Sequence, residues 1–336
     1  MKKYNVAVVG ATGNVGRKLI SILDERNFPV EDLYALASKN SLHKKISFGD
    51  EKILSVQQLD NFDFTKVDLV LSCVNSNITK SYIDKAIKAN CTIIDKSSLF
   101  RNDPDVALVV PEVNEHEILR AQNKKIIASP NCCVIPLVTI LSPLHQDFKI
   151  KRIVISTYQS VSGAGRAHMD ELYNQTKSTY MPEKLHPEKF DKQIAFNILP
   201  KIDDIESNGN TVEEQKIISE TKKILGADIG VSVTAVRVPV FVSHALSVNV
   251  EFTKPFDLEE IFEILQETES VAIVRDDSEL KYITPVEVTG EDLVYVARVR
   301  KDDSTQNALS LWICADNLRK GAALNAVQIA EKLYKV

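Results

Sequence analysis

The amino-acid sequence predicts an α/β protein with two domains: a parallel-sheet domain covered by helices on both faces, and a second, α+β domain. The chain has 336 residues, more than one core of ordinary size holds, which favours two joined domains. Up to about residue 130, short apolar strands alternate with helices, as is typical of a parallel sheet. Beyond residue 150, longer strands alternate apolar with polar residues, as is typical of a sheet with one covered face.

The strands predicted for the first domain are short and rich in valine, leucine and isoleucine, as expected of strands buried on both faces. They lie at residues 4–9, 33–37, 67–73, 92–95, 108–110 and 125–128. Apolar residues at helical spacing predict helices at residues 16–26 and 81–90.

The second domain begins at the run Asn131-Cys132-Cys133. Its predicted strands lie at residues 152–158, 231–238, 246–252 and 294–299, and its helices at residues 211–225 and 258–266. An alanine-rich amphipathic helix is predicted at residues 318–333. We therefore expect one domain of residues 1–131 with 317–336, and another of residues 132–316.

Composition excludes several classes of function. Acidic and basic residues are interspersed, with a net charge of −5, so nucleic acid is not an expected partner. No apolar stretch approaches the length of a membrane span, so no membrane segment is expected. The five cysteines are odd in number and show no metal-ligand spacing, which favours reduced thiols, a cytoplasmic location and no metal site.

A glycine-rich turn follows the first predicted strand. It reads Gly10-Ala11-Thr12-Gly13-Asn14-Val15-Gly16 and leads into a predicted helix. Glycines at such a turn let backbone N–H groups approach a pyrophosphate, and the helix dipole favours the negative charge. The sequence therefore predicts a Rossmann-type dinucleotide site with contacts at Gly10, Thr12, Gly13, Asn14 and Val15. Glycines also occur in tight turns that bind nothing, so the motif alone does not decide.

The end of the second predicted strand indicates which dinucleotide binds. NAD-binding proteins usually place a carboxylate there to hold the ribose hydroxyls. This chain has Ser38-Lys39-Asn40-Ser41, with Lys44 and Lys45 close behind. Hydroxyls and lysines suit a 2′-phosphate, so we expect NADP with contacts at Ser38, Asn40 and Ser41. The alternative is that the lysines form only a solvated loop.

Cys132 is a candidate nucleophile. It stands just ahead of an apolar, helix-like run with Pro136 in the position of a first helical turn. A helix N-terminus stabilises a thiolate, which makes a cysteine there reactive. The alternative is a small core residue, which is the more common role of a cysteine.

Two further segments could carry chemistry. His244 follows the strand predicted at residues 231–238, where a histidine can serve as an acid or base, although most such histidines are surface residues. The strand predicted at residues 152–158 ends in a glycine loop, Ser160-Val161-Ser162-Gly163. Such a loop lets a planar ring lie close to the backbone, but any tight turn has the same composition.

Taken together, these motifs resemble the aspartate-semialdehyde dehydrogenase family over nearly the whole chain. The matching stretches read VAVVGATGNVG, LVVPEVNEHE, SPNC, STYQSVSGAG, IAFNILPKID, EEQKIISETKKIL, VRVPV with its following SHA, and DNLRKGAALNAVQIAE. Each stretch alone is a modest signal, whereas their order and spacing are specific.

The resemblance implies a role for each matching residue. Cys132 matches the nucleophile that forms a thioester, His244 the general acid/base, and Gln159 the residue that orients the acyl group. The implied substrate ligands are Arg237 for the carboxylate, Glu213 for the ammonium, Lys216 and Arg101 for the phosphate, and Asn131. Ser162, Gly163 and Asn317 match cofactor contacts. Taken alone, Glu213 and Lys216 would form an ordinary exposed i,i+3 helix pair.

The function that the resemblance implies is the reversible, NADPH-dependent reductive dephosphorylation of L-aspartyl 4-phosphate to L-aspartate 4-semialdehyde. This reaction belongs to the biosynthesis of lysine and diaminopimelate, threonine, methionine and isoleucine. The resemblance also implies a homodimer, formed through a second domain that carries both catalysis and dimerisation. Two positions depart from the family pattern: Asn40 replaces an arginine, and Cys133 replaces a hydroxyl residue.

Two alternative functions stay open at this point. A sister enzyme, N-acetyl-gamma-glutamyl-phosphate reductase, uses the same thioester chemistry, but its substrate has no ammonium for a carboxylate such as Glu213 to meet. A catalytically silent nucleotide-binding protein would need only the first domain. The joint presence of Cys132, Gln159, Arg237 and His244 argues against that second alternative.

Overall fold

The protein divides into two compact units. The computed structural model describes residues 2–50, 52–120, 124–181, 187–226 and 228–336. One unit comprises residues 1–131 with residues 322–336, and the other comprises residues 132–321. The chain thus returns to the first unit at Ala322, whereas the sequence places this return at residue 317. No helix among the described residues combines the length and apolar character that a membrane span needs.

The first unit alternates strands with helices. Its strands are β1 Tyr4–Val9, β2 Val30–Ala37, β3 Lys45–Phe48, β4 Lys52–Ser55, β5 Gln57–Gln58, β6 Leu69–Ser72, β7 Thr92–Asp95, β8 Ala107–Leu108 and β9 Ile126–Ala128. Its helices are α1 Asn14–Glu25, α2 Ser76–Lys88, α3 Pro111–Asn114 and α4 Glu117–Arg120. The strands predicted from the apolar runs are all present; β1 and β7 have the predicted bounds, and the others have shifted ends.

The main sheet of the first unit runs in the order β5-β2-β1-β6-β7-β9-β8. Every pairing within it is parallel. Four successive strand residues, Leu69 to Ser72, are all buried, as expected when helices cover both faces of a parallel sheet. The prediction of a parallel-sheet fold is confirmed.

A small hairpin of β3 and β4 was not predicted from the sequence. It contributes only two buried apolar residues, Ile46 and Leu54, which face each other across the ladder. Most of the other hairpin residues are exposed, so the apolar pattern is too short to mark two strands.

The second unit contains the longer strands. They are β10 Ile150–Gln159, β11 Gly230–Arg237, β12 His244–Phe252, β13 Val271–Val274, β14 Val294–Asp302 and β15 Ala308–Ala315. Its helices are α5 Val134–Phe148, α6 Arg166–Ser178, α7 Val212–Leu225 and α8 Leu258–Glu267. The last helix of the chain, α9 Leu324–Tyr334, belongs to the first unit.

The sheet of the second unit is mixed and runs in the order β11-β10-β12-β15-β14-β13. β10 pairs in parallel with β11 and antiparallel with β12. The helix α5 is buried along most of its length and packs against α7, α8 and the sheet. The prediction of an α+β second domain is confirmed, and Cys132 stands directly before this buried helix.

The helix predicted at residues 318–333 begins later than expected. Residues Arg319–Ala323 form a π-helical segment, and the α-helix starts only at Leu324. The Asp316 carboxylate accepts hydrogen bonds from the backbone N–H groups of Leu318 and Arg319 at 2.7 and 3.1 Å, which caps the segment. π-Helical turns are rare and are often found at functional sites.

Candidate active site

Three strand ends meet at one edge of the sheet in the second unit. β10 and β11 are parallel and pair Gln159 with Arg237, so both side chains stand at the carboxyl ends of their strands. β12 runs the other way and starts with His244, next to Ala245, which pairs with Tyr158 of β10. The strand register therefore brings Gln159, Arg237 and His244 to the same edge.

Two adjacent thiols lie against His244. One ligand atom from each of Cys132, Cys133 and His244 falls within 4.8 Å of the other two. Gly321 permits this approach, because a Cβ atom at that position would lie 3.2 Å from the Cβ of Cys132 and 3.1 Å from its carbonyl oxygen. Cys132 is half-buried, whereas Cys133 is fully buried. Burial raises the pKa of the Cys133 thiol well above its ordinary value, which makes Cys132 the more accessible nucleophile.

The imidazole of His244 is buried and held on one side by Ser160. Its Nδ1 accepts a hydrogen bond from the Ser160 backbone N–H at 3.0 Å and lies 3.1 Å from the Ser160 hydroxyl. Its Nε2 is buried and has no hydrogen-bond partner among the described residues. A Cβ atom at Gly163 would lie 3.4 Å from this Nε2 and from Nη1 of Arg237, so both groups line the space that the glycine leaves open.

The first turns of α7 supply a carboxylate and an ammonium group. Gln159 Nε2 donates to Glu213 Oε1 at 3.1 Å, and Lys216 Nζ lies 3.4 Å from Glu213 Oε2 and 2.6 Å from Asp203 Oδ2. Burial works to lower the pKa of Lys216, but Glu213 and Asp203 outweigh it and leave that pKa above its ordinary value. Lys216 is therefore a fixed positive charge beside the Glu213 carboxylate.

A capping box fixes the start of α7. The Thr211 hydroxyl accepts from the Glu214 N–H at 3.3 Å, and the Glu214 carboxylate accepts from the Thr211 N–H at 2.7 Å. The same carboxylate accepts from Ala235 N–H of β11 at 2.9 Å. Helix α7 is thus tied to the strand that carries Arg237, which sets the position of Glu213 relative to the sheet edge.

Arg237 is a buried cation at this edge. Its Nη1 donates to the carbonyl oxygen of Ser160 at 2.8 Å. Burial lowers the pKa of the guanidinium, and the charge of Glu213 acts in the opposite direction. Arginine stays protonated in proteins even so, and a buried charge needs an opposite charge nearby. The arrangement is suited to receiving an anionic group.

A pocket of about 540 Å³ opens beside Arg237. Its walls include the strand end at Arg237, the loop with Asp203, and the side chains of His168, Lys189, Lys192 and Lys201. A volume of this size accommodates a small charged metabolite. Asp203 thus borders the pocket and also holds Lys216.

The glycine turn in the first unit packs closely against neighbouring backbone. Gly10 has φ +83°, and a Cβ atom there would lie 2.8 Å from Val74 Cγ1 and 2.9 Å from the carbonyl oxygen of Cys73. A Cβ atom at Gly16 would lie 2.2 Å from the Gly10 carbonyl oxygen, so helix and turn pack too closely for any other residue. Gly13 is exposed at the N-terminus of α1. The N-terminus of α1, where the helix dipole favours negative charge, therefore lies at this turn.

The other residues predicted to contact cofactor in the first unit lie close to this turn. Because β1 and β2 are parallel neighbours, their carboxyl ends meet, and Thr12 Oγ1 lies 3.4 Å from Ser41 Oγ. Ser38 and Asn40 are exposed on the same short segment, while Ser41 is buried. The loop after β2 and the glycine turn thus lie next to each other at the carboxyl ends of β1 and β2.

Two predicted substrate ligands, Arg101 and Asn131, belong to the first unit. Arg101 is buried, and its Nη2 donates to the carbonyl oxygen of Lys96 at 2.5 Å. Asn131 is buried and is joined by a peptide bond to Cys132, the first residue of the second unit.

Three predicted cofactor contacts, Ser162, Gly163 and Asn317, belong to the second unit. Ser162 and Asn317 are both buried, and Asn317 Nδ2 donates to Ser162 Oγ at 3.0 Å. The Asn317 carbonyl oxygen also accepts from the Ser243 N–H at 2.8 Å, one residue before His244. The structure therefore places Asn317 in the surroundings of His244.

Several residues of the site were not singled out from the sequence. Ser160, Asp203 and Gly321 lie inside the motif stretches, but no local pattern indicates that Ser160 meets His244 or that Asp203 meets Lys216. A signal did exist for Glu214, because Thr211 and Glu214 have the spacing of a capping box. The other contacts join residues far apart in the chain.

Two family models match the chain. Residues 5–121 match the NAD binding domain of semialdehyde dehydrogenase. Residues 141–320 match the semialdehyde dehydrogenase dimerisation domain. An aspartate-semialdehyde dehydrogenase of Rickettsia conorii is 55% identical over 332 residues, which cover 99% of this chain and 98% of that protein. The chain belongs to the aspartate-semialdehyde dehydrogenase family.

Members of the family from other bacteria are similar over the same length. The Aquifex aeolicus enzyme is 44% identical over 335 residues, covering 99% of this chain and 98% of the relative. The crystal structure of aspartate semialdehyde dehydrogenase II from Vibrio cholerae has a TM-score of 0.96 and 42% identity, covering 99% of both chains. A second structure of that Vibrio cholerae enzyme, complexed with ASA, also has a TM-score of 0.96 and 42% identity, covering 100% of this chain and 99% of that one.

These findings confirm the resemblance that the motifs carry. The chain is an oxidoreductase of the aspartate-semialdehyde dehydrogenase family, and its first unit contains the family's domain for a nicotinamide cofactor.

Proposed function

We propose that this chain reduces L-aspartyl 4-phosphate to L-aspartate 4-semialdehyde, reversibly and with NADPH, through a thioester on Cys132. The observation that supports this most strongly is the set of five groups at one sheet edge: thiol, imidazole, carboxamide, carboxylate and guanidinium. Cys132 would attack the acyl carbon, form a C–S bond and release inorganic phosphate. NADPH, when bound, would supply the hydride that reduces the thioester. The C–S bond to Cys132 would then break, which releases the semialdehyde and returns the thiol.

In this proposal the residues around Cys132 orient and polarise the acyl group. His244 is the acid/base, because its buried imidazole lies within reach of the thiol. Gln159 is held by Glu213 and orients the acyl group. The water-poor surroundings of these side chains would strengthen each electrostatic contact to the reacting atoms.

Each charge of the substrate has a proposed partner. Arg237 would pair with the α-carboxylate, Glu213 with the ammonium, and Lys216 with the phosphate; Arg101 and Asn131 are the further proposed ligands. Glu213 favours an amino-acid substrate over the N-acetylated one of the sister enzyme. A free ammonium would give this buried carboxylate a second opposite charge beside Lys216, which a neutral N-acetyl group cannot provide.

We assign residues 1–131 with 317–336 to cofactor binding and residues 132–316 to catalysis and dimerisation, as the sequence indicates. NADP is the proposed cofactor, with Ser38, Asn40 and Ser41 near its 2′-phosphate. Gly10, Thr12, Gly13, Asn14 and Val15 would hold the pyrophosphate, and Ser162, Gly163 and Asn317 are the further proposed cofactor contacts. A second copy of the chain is the proposed partner, in a cytoplasmic homodimer.

The decisive assay follows absorbance at the reduced-nicotinamide band while aspartate semialdehyde, phosphate and NADP are mixed with the purified protein. We expect reduction of NADP that depends on phosphate, because phosphate must cleave the thioester. A matched reaction contains N-acetylglutamate semialdehyde instead. Activity only with that analogue would favour the sister enzyme, and inactivity with both substrates would leave a nucleotide-binding protein.

A further inference from the structure

Three hydrogen-bond donors surround the side-chain oxygen, Oδ1, of Asn317. Its Oδ1 accepts from the Ser243 backbone N–H at 2.8 Å and lies 3.3 Å from Ser160 Oγ and 3.2 Å from Ser162 Oγ. Because a backbone N–H can only donate, the amide atom that faces it must be the carbonyl oxygen, which fixes the orientation of the amide. Asn317 thus ties the residue before His244 to the loop that follows β10.

Ser160 contacts both Asn317 and the imidazole of His244. Its backbone N–H points at His244 Nδ1 at 3.0 Å, and its hydroxyl lies 3.1 Å from the same nitrogen. A hydrogen on Nδ1 would face the amide hydrogen of Ser160, whereas a lone pair on Nδ1 accepts it. In the neutral ring the hydrogen must then sit on Nε2, the buried nitrogen on the side that Gly163 leaves open.

We propose that Asn317 and Ser160 are positioning residues that hold His244 in the tautomer with hydrogen on Nε2, so that the imidazole meets the reacting acyl oxygen as a donor. This inference rests on the proposed function, since it specifies the acid half of the role of His244. It assigns to Asn317 an effect on catalysis through His244, separate from contact with the cofactor. The second nitrogen of a functional histidine is commonly fixed by a partner of this kind.

The first test separates the two roles of Asn317 by kinetics. In Asn317→Ala the tie between Ser160 and Ser243 is lost, so kcat should fall by about 10- to 100-fold, as expected for misplaced acid/base catalysis. The KM for NADP should change by a smaller factor than kcat, because the loss through His244 falls at the reacting centre. Ser160→Ala should also lower kcat, but by a smaller factor. The Ser160 backbone N–H still donates to His244 Nδ1 in that variant.

Thr289→Val is the matched control. The Thr289 hydroxyl bonds to Ser243 Oγ at 2.8 Å, so this change removes a hydrogen bond from the same neighbourhood without touching Asn317 or Nδ1. Its kcat should equal that of the unmodified enzyme. A rise in the KM for NADP with unchanged kcat in Asn317→Ala would overturn the proposal and leave Asn317 as a cofactor contact.

The second test determines the tautomer of His244 by NMR and does not depend on an enzymatic assay. In full-length protein with ¹⁵N-labelled histidine, the nitrogen chemical shifts distinguish a ring nitrogen that carries hydrogen from one that does not. The His244 signals are those missing in His244→Asn. We expect a protonated Nε2 and an unprotonated Nδ1, with averaging toward the other tautomer in Asn317→Ala. A protonated Nδ1 in the neutral ring of the unmodified protein would refute the proposal even if the enzyme reduces aspartyl phosphate as proposed.

Discussion

The two candidate binding regions of this chain are built in opposite ways. The turn between β1 and α1 is a run of consecutive residues, and it works because side chains are missing: Cβ atoms at Gly10 and Gly16 would collide with backbone. The sheet edge of the second unit is assembled from side chains that the chain supplies far apart, from Cys132 to Asn317. The first site depends on backbone shape, and the second depends on the orientation of buried groups.

This difference predicts different sensitivities to substitution. At the turn, adding a single methyl group should be damaging, while most polar changes nearby should be mild. At the sheet edge, even a change that preserves charge should be damaging, because the geometry of hydrogen-bonding groups carries the chemistry. Four substitutions, two at the sheet edge and two in the cofactor region, test this difference.

The largest effect is expected from Cys132→Ser. Turnover should fall by about 10³-fold or more, because a serine hydroxyl does not ionise near neutral pH whereas a thiol does. Steady-state kcat for phosphate-dependent NADP reduction measures the loss. The matched control is Cys133→Ser, which should retain substantial activity because Cys133 is buried. If the two variants exchanged behaviour, Cys133 would be the nucleophile.

Arg237→Lys should have the next largest effect. It keeps the charge and loses the planar fork, so kcat/KM for aspartate semialdehyde should fall by about 10²-fold, or about 3 kcal/mol. NADP binding should be nearly unchanged. Thermal melting of the same variant checks whether the protein stays folded.

Arg152→Lys is the control for that change. Arg152 lies on the neighbouring strand β10 and pairs with Glu251 at 2.9 Å, with about half of its side chain exposed. Exposed pairs contribute little, so both stability and kinetics should be retained. Normal kcat/KM in a destabilised Arg237→Lys protein would remove Arg237 from the active site.

Gly10→Ala probes the turn. Gly10 has a positive φ, and an added Cβ would contact Val74 and Cys73. The substitution should therefore lower the free energy of unfolding by about 1–3 kcal/mol and weaken NADP binding. Gly209→Ala is the matched control, since Gly209 has φ +86° but no described atom within 4 Å of the added Cβ. Urea unfolding and NADP titration compare the two variants. Equal losses in both would mean that crowding at the turn contributes nothing.

Asn40→Arg should have the smallest effect, and it is a gain. A guanidinium there should tighten NADP by about 1–2 kcal/mol through a charge-assisted contact with the 2′-phosphate, and should leave NAD binding unchanged. Asn208→Arg, at an exposed position of the second unit, controls for the added charge. Fluorescence titration with both cofactors measures the difference. Tighter binding of NAD than NADP by the unmodified protein would contradict the cofactor assignment.

The elements predicted best from the sequence are those with strong local signals. β1 has the predicted bounds, and the start of α7 follows the capping box of Thr211 and Glu214. β15 is missing from the predicted strands although it is strongly apolar, because a short buried run gives no period that separates strand from helix. The delayed start of α9 was also not predictable, since the π-helical segment depends on the Asp316 carboxylate.

The arrangement of the residues in the candidate site was likewise not predictable from the sequence. The resemblance names Cys132, Gln159, Arg237 and His244, but no spacing in the sequence says that they meet. The strand register of β10, β11 and β12 decides that. The sequence also left Glu213 and Lys216 open as an ordinary exposed helix pair, whereas the structure buries Glu213 against Gln159.

The sequence by itself determined the parallel sheet, the glycine turn and the family, because each is encoded by contiguous residues whose pattern is set by local geometry and burial. The tertiary structure alone decided which of two adjacent thiols is accessible and which nitrogen of His244 faces the open side of the site. Those properties depend on desolvation and on hydrogen bonds between residues distant in the chain, such as Ser160 with His244 and Ser243 with Asn317. Such contacts exist only once the end of β10, the start of β12 and the segment after β15 have come together within the second unit.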